Sequence, residues 1–193
     1  MAERTFDPAT HTYRVDGVRL PSVTQIMRAT GIIDDRWFDA WSRDRGSAVH
    51  LACELADHGT LDEASVDPRI RGYVTAWERF LSETRATVAE IEFRHSSAAL
   101  GYAGTIDRVL SLHGDRPAIV DLKTGAPGRA AGIQTAAYAD LYRDATGDIV
   151  LTRFAVRLFS AGKYSVVEGR TSDHDDWNEA LWAYRERGKH GRD

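Results

Sequence analysis

The sequence predicts an α/β sandwich with a mixed sheet, and three observations lead to it. After a short N-terminal hairpin the pattern is helical as far as Thr84 and then changes to period two. Three strand-like segments with turns between them follow, as in a β-meander. A helical stretch then separates the meander from two further strands, and a last helix closes the chain. No Pro/Gly/Ser-rich linker divides the 193 residues, so one domain over 1–193 is expected. Within it, 1–84 holds an N-terminal hairpin and helices, 85–170 the sheet with its helix, and 171–193 a C-terminal helix and tail.

Taken in order, "TYRVDGVRLPSV" alternates around Asp16-Gly17, a dipeptide suited to a tight hairpin turn. Ser22 with Gln25 makes a capping-box pattern and Gly31 sits where a C-terminal cap would, which brackets a helix over "SVTQIMRAT". Two more helices are expected, from about Asp35 to Arg43 and from about Gly46 to His58. In "DPRIRGYVTAWERFLSET", Asp67 caps, Pro68 takes the first position, and Ile70, Tyr73, Val74, Trp77, Phe80 and Leu81 form a core stripe. The strand segments are "TVAEIEFRH", "YAGTIDRVLSL" and "PAIVDLKTG". A helix from about Arg129 to Asp144 leads to strands "VLTRFAVRLF" and "KYSVVEGR", joined through Ser160-Ala161-Gly162, and Asp173 starts the last helix.

Composition narrows the chemistry. Hydrophobic residues at 42% with 28% charged residues fit a folded chain and argue against disorder or low complexity. Apolar runs are far shorter than the ~20 residues a bilayer helix needs, and "MAERTFDPATH" contains no apolar signal segment, so no membrane association and a cytoplasmic location are expected. The single cysteine, Cys53, excludes a disulfide framework and a cysteine-held zinc or iron–sulfur cluster, and is read as a core residue. A net charge of −4 gives no overall attraction to a polyanion, so any nucleic-acid contact has to be local. There is no phosphate-binding G-x-x-x-x-G-K-S/T and no G-x-S-x-G elbow.

The informative strand is "IVDLKTG", where Asp121 and Lys123 project to one side while Ile119, Val120 and Leu122 supply packing. An isolated Asp-x-Lys is simply explained as a surface ion pair. Folding an antiparallel hairpin about His113-Gly114-Asp115, however, sets Asp107 of "GTIDRV" opposite Asp121, unless the register slips by two. Two carboxylates would then face each other with β-carbons about 5 Å apart, which destabilises a sheet unless a cation lies between them. Lys123 offsets part of that charge, and Mg²⁺ or Mn²⁺ suits such hard oxygen donors better. Two carboxylates, a divalent ion and a lysine are the groups that metal-assisted phosphodiester hydrolysis uses.

"GYAGTIDRV", "AIVDLKTG" and "QTAAYADLY" occur in the order of the G-x-x-D, D-x-K and Q-x-x-x-Y motifs. Over Leu20 to Tyr142 the chain thereby resembles the PD-(D/E)XK nuclease superfamily, in its RecB-like exonuclease branch without an iron–sulfur cluster. "RGSAVH" resembles that branch's helical motif, and "LPSVTQIM" with "WSRDRGSAVH" resembles the opening of the mitochondrial genome maintenance exonucleases and their phage and bacterial relatives. The usual proline before the first aspartate is replaced by Ile106. The resemblance implies a restriction-endonuclease-like core and a Mg²⁺- or Mn²⁺-dependent DNA exonuclease of replication, repair or recombination. It implies Asp107, Asp121, the Leu122 carbonyl and His50 as metal ligands, Lys123 as the catalytic lysine, and Gln134 and Tyr138 as groups that support the site or touch DNA. His50 as a hydrogen-bonded core histidine, and Gln134 and Tyr138 as purely structural residues, are the alternatives. Glu92 is either a water-mediated ligand or, the simpler reading, a solvated strand carboxylate.

DNA with free ends, possibly single-stranded, is the expected partner, together with a recombination or replication protein. Arg36, Arg43 and Arg45 interleave with Trp37 and Trp41, and Arg129 follows "KTGAPG"; such mixtures contact phosphates and stack on bases. Solvated arginines and buried tryptophans on one amphipathic helix fit the pattern equally. "DHDD" at Asp173 to Asp176 is read as helix capping rather than a second metal site. A nuclease-fold module that binds DNA or a partner with little turnover, or a nuclease subunit needing a helicase or annealing partner, is the alternative function.

Overall fold

The structure is a computed structural model that describes residues 2–34, 40–112 and 116–190. The turn residues His113, Gly114 and Asp115, the expected helix start at Asp35, and Arg36 and Trp37 lie outside the described residues. Asp16 and Gly17 take φ of 49° and 78°, the left-handed pair that a two-residue hairpin requires. They join β2 (Thr12–Val15) to β3 (Val18–Leu20), and β1 (Arg4–Asp7) adds a third antiparallel strand that the alternation did not announce. The capping box forms as expected at α1 (Val23–Ala29): Gln25 N–H donates to Ser22 Oγ at 3.2 Å and Ser22 N–H to Gln25 Oε1 at 3.0 Å. Gly31, at φ 80°, follows the end of the helix.

The two helices expected over 35–58 are corrected to one. α2 (Ala40–Asp57) runs unbroken through Gly46. A single glycine costs a helix interior only about 1 kcal/mol, less than packing against the sheet returns. Val49, Ala52 and Cys53 bury the face that secures it. α3 (Pro68–Thr84) begins with Arg69 N–H donating to Asp67 Oδ1 at 2.8 Å and ends where Arg85 turns left-handed.

The main sheet has the order β4-β5-β6-β7-β8. β4 (Thr87–Ser97), β5 (Tyr102–Ser111) and β6 (Pro117–Lys123) form the antiparallel meander. α4 (Arg129–Thr146) then carries the chain across to β7 (Thr152–Leu158), parallel to β6, and β8 (Tyr164–Glu168) returns antiparallel. The sheet is therefore mixed, as predicted. α5 (Ser172–His190) completes the chain.

Alternation along β6 divides the packing. Ala118, Val120 and Leu122 face a core with Val49, Cys53, Trp77 and Phe80 from α2 and α3. Ile119 faces a second core with Ile26, Ala137, Leu141 and Trp177 from α1, α4 and α5. Fully burying each large side chain contributes roughly 1.5–3 kcal/mol, so both faces hold the strand that carries Asp121 and Lys123. No helix among the described residues is long and apolar enough to cross a membrane.

Candidate active site

Three neighbouring strands bring three carboxylates to one place. The β5–β6 ladder runs to the Arg108–Val120 pair, which sets Asp107 and Asp121 at the next position, as the hairpin register predicted without a slip. The ladder stops there because Asp107 Oδ2 itself accepts the Leu122 N–H at 2.8 Å. On the other side, the pairs Ile91–Arg108 and Phe93–Ile106 flank Glu92, which falls beside Asp107. Glu92 has φ 48°, a left-handed conformation that costs a non-glycine residue about 1–3 kcal/mol and turns its side chain out of the regular pleat.

His50, presented by α2, completes the group. His50, Glu92 and Asp107 each offer a ligand atom, and these atoms lie within 4.8 Å of one another. His50 Nε2 donates to the Leu122 carbonyl at 3.0 Å, and Nδ1 faces Asp107 Oδ2 at 3.6 Å. With its proton on Nε2, the ring directs the Nδ1 lone pair at the carboxylates, the state a metal ligand needs. Burial, and then the Asp107 charge, push Glu92 up to about 7. Such a mixed nitrogen and oxygen set, with Glu92 half-buried within it, fits a divalent cation.

Asp121 is placed differently from the other expected ligands. Its side chain is 1% exposed and pairs with Lys123 Nζ at 2.7 Å through Oδ2. Among the described residues no other donor reaches that buried oxygen. Burial raises the Asp121 pKa, against the opposing pull of Lys123. Burial would lower Lys123, but Asp121 and Asp107 together outweigh it and keep the ammonium charged. A surface ion pair is thereby excluded as the account of Asp-x-Lys.

Lys123 Nζ also donates to Gln134 Oε1 at 3.0 Å, and Gln134 Nε2 donates to the Tyr138 hydroxyl at 2.9 Å. Both α4 residues are buried, so they hold the lysine from behind. Tyr138 in turn accounts for the glycine of G-x-x-D: a methyl on Gly104 would lie 2.9 Å from Tyr138 Cε1 and 3.0 Å from Leu141 Cδ1.

Arg108 is a site residue that the sequence analysis did not single out. Fully buried, it pairs with Asp57 of α2 at 2.5 Å and lies 3.4 Å from Glu92 Oε1, while Trp77 Nε1 donates to Asp57 Oδ1 at 2.8 Å. Arg108 thus ties the strand of Asp107 to the helix of His50. The one available hint was an arginine directly after the motif aspartate, followed by the apolar Val109 and Leu110.

The other basic candidates are spread out. Arg45 on α2 stands 5.9 Å from the Tyr73 ring centre with its Nε buried and without a hydrogen-bond partner. Trp41 is exposed beneath Arg69. Arg129 is engaged by Asp176 of α5. Asp173, in the first turn of α5 with Asp175, reaches back to accept the Arg170 N–H at 2.6 Å, and acids in that turn suit the helix dipole. A depression of about 410 Å³ between α4, α5 and the end of α1 contains Arg129 and Asp176 but none of the clustered site residues. Glu92 and Asp107 open instead onto a cavity of about 160 Å³ with His11, Thr24 and Thr105, and a groove of about 360 Å³ runs along Gly46, Ser47, His50 and Leu51. Glu92 lines both.

A family model of the PD-(D/E)XK nuclease superfamily matches residues 25–192, nearly the whole chain and all of the clustered side chains. The chain belongs to the PD-(D/E)XK nuclease superfamily. Members of this superfamily use divalent metal ions. No curated protein sequence matches significantly. Among solved structures, a candidate exonuclease of Eubacterium rectale is similar with a TM-score of 0.54 and 14% identity, over 84% of this chain and 71% of that one. The alkaline exonuclease LHK-Exo of Laribacter hongkongensis aligns with a TM-score of 0.46 and 16% identity over 88% and 76%, and its complex with dAMP with 0.40 and 15% over 89% of each. The first of these supports the same nuclease fold.

Proposed function

We propose that the chain is a divalent-metal-dependent DNA exonuclease of the RecB-like branch, serving replication, repair or recombination, and that residues 1–193 act as one domain. The observation that carries the reading is the convergence of His50, Glu92 and Asp107 beside the buried Asp121–Lys123 pair. DNA rather than another phosphodiester is favoured by the order of "GYAGTIDRV", "AIVDLKTG" and "QTAAYADLY". His50, Glu92, Asp107 and Asp121 would hold Mg²⁺ or Mn²⁺, with the Leu122 carbonyl beside them. When bound, such an ion supplies a Lewis acid for the scissile phosphate and makes water acidic enough to attack it.

The protein's own groups do the rest. Lys123, kept as an ammonium by two carboxylates, orients the attacking water and balances negative charge that develops on the phosphate. Gln134 and Tyr138 fix its position. The test is digestion of end-labelled linear and circular DNA, single- and double-stranded, with Mg²⁺, Mn²⁺ or EDTA. Linear DNA should shorten from an end with either metal and remain intact in EDTA. Equal cutting of circular DNA would replace the exonuclease reading by an endonuclease one, and cleavage unaffected by excess EDTA would overturn the metal.

A further inference from the structure

Lys123 has a neighbour that lies far from it in the chain. In the parallel ladder between β6 and β7 it is paired with Arg157. Paired residues on adjacent strands lie ~4.8 Å apart and send their side chains to one face. That face is the α4 side: Lys123 reaches Gln134, and Arg153, earlier on β7, donates to the Gly132 and Arg170 carbonyls. α4 begins at Arg129 and runs back over the sheet, so Arg157 stands beyond the start of the helix, at the carboxyl ends of the two parallel strands. Open α/β sheets bind their ligands there.

The chemistry of Arg157 fits that position. Its guanidinium carbon sits 4.5 Å from the centre of the Phe159 ring, which holds the planar fork in place. Its Nε is buried with no hydrogen-bond partner, and no carboxylate among the described residues forms an ion pair with it. Arg153, two positions earlier on the same face, is by contrast fully engaged with carbonyls and lies 3.7 Å from Asp173. A buried donor left unpaired is unfavourable, and an incoming acceptor would relieve that. Phosphate is the acceptor a guanidinium matches with two parallel hydrogen bonds.

We propose that Arg157 grips a backbone phosphate of the bound DNA strand next to the one under attack beside Lys123, a role that rests on the nuclease reading above. Arg157 then acts in substrate binding rather than in the chemical step.

The test compares Lys123→Ala, which should cut slowly enough for binding to be read first, with Lys123→Ala/Arg157→Ala. Anisotropy of a labelled oligodeoxynucleotide in Mg²⁺ is followed over a series of salt concentrations. Losing one phosphate contact should weaken binding about tenfold near 0.1 M salt and reduce the slope of log affinity against log salt by about one. On the wild-type background Arg157→Ala should raise KM and leave kcat nearly unchanged. Arg157→Lys, which keeps the charge, should retain the salt slope, and it serves as the second variant if the alanine form melts early. Unchanged affinity and slope, or a fall in kcat at constant KM, would overturn the role of Arg157 alone. A parent protein that neither binds nor cuts DNA would remove the nuclease reading and this inference with it.

Discussion

Asp121 and Lys123 show how two adjacent charges divide their work. Asp121 is sealed beneath the sheet surface, whereas Lys123 is held between Asp121 and Gln134 with part of its side chain open to solvent. Lys123→Ala should therefore spare metal binding, read by calorimetric titration, while lowering single-turnover cleavage by a factor on the order of 10²–10⁴. A variant that cuts at the parental rate would remove the lysine from the chemistry. Glu92 supports a second prediction. It keeps its proton to about pH 7 in the folded chain, against an ordinary value of 4.5, so the folded state binds the extra proton between those values. Its contribution to stability is complete below that window and is lost as pH rises through it. In EDTA the melting temperature should fall as pH increases across that range, and Glu92→Gln should flatten the curve. Burial moves Asp121 the same way, which leaves some slope in the variant.

Glycines decide two elements in opposite ways. In β5, Gly104 lies under Tyr138 and Leu141, where a methyl would approach within 2.9 Å of the ring. Gly104→Ala should displace α4, lower stability by about 1–3 kcal/mol and slow cleavage through the Gln134–Lys123 contact. In α2, the nearest atom to a methyl on Gly46 is Thr124 Oγ1 at 3.8 Å, an ordinary contact. Gly46→Ala should consequently raise stability by up to about 1 kcal/mol, since helix propensity is the term that changes. Thermal melts of both variants check the pair. Destabilisation by Gly46→Ala would argue for a break at Gly46 and against one continuous helix. Element types were legible beforehand because caps and periodicity are local: Ser22 with Gln25, Asp67-Pro68 and Asp16-Gly17 all act within one turn of chain. The continuity of α2 was not, because the contacts that outweigh a glycine come from β4 and α3.

Across the whole molecule, the sheet insulates two cores from each other and from solvent. Cys53 lies in the α2–α3 core with its thiol pushed up to about 12, chiefly by burial. It should resist thiol reagents in the native state and react at the rate of global unfolding, so labelling in increasing denaturant should follow the main transition. Rapid labelling of the native chain would mean that α2 opens separately. Divalent metal, binding only the folded state, should shift that transition upward. The sequence alone determined the α/β class, the strand pair that carries Asp107 and Asp121, the lysine two residues beyond Asp121 and the family they resemble. These follow from alternation and a short hairpin, which are properties of neighbouring residues. Only the tertiary structure decided that Glu92 joins His50 and Asp107, that Asp121 is buried in an ion pair with Lys123, that Arg108 links β5 to α2, and that Arg157 stands beside Lys123. A strand's own pattern reports which of its faces is buried. What lies across that face is set by the left-handed turn at Glu92, by the parallel register reached through α4, and by the packing of distant helices.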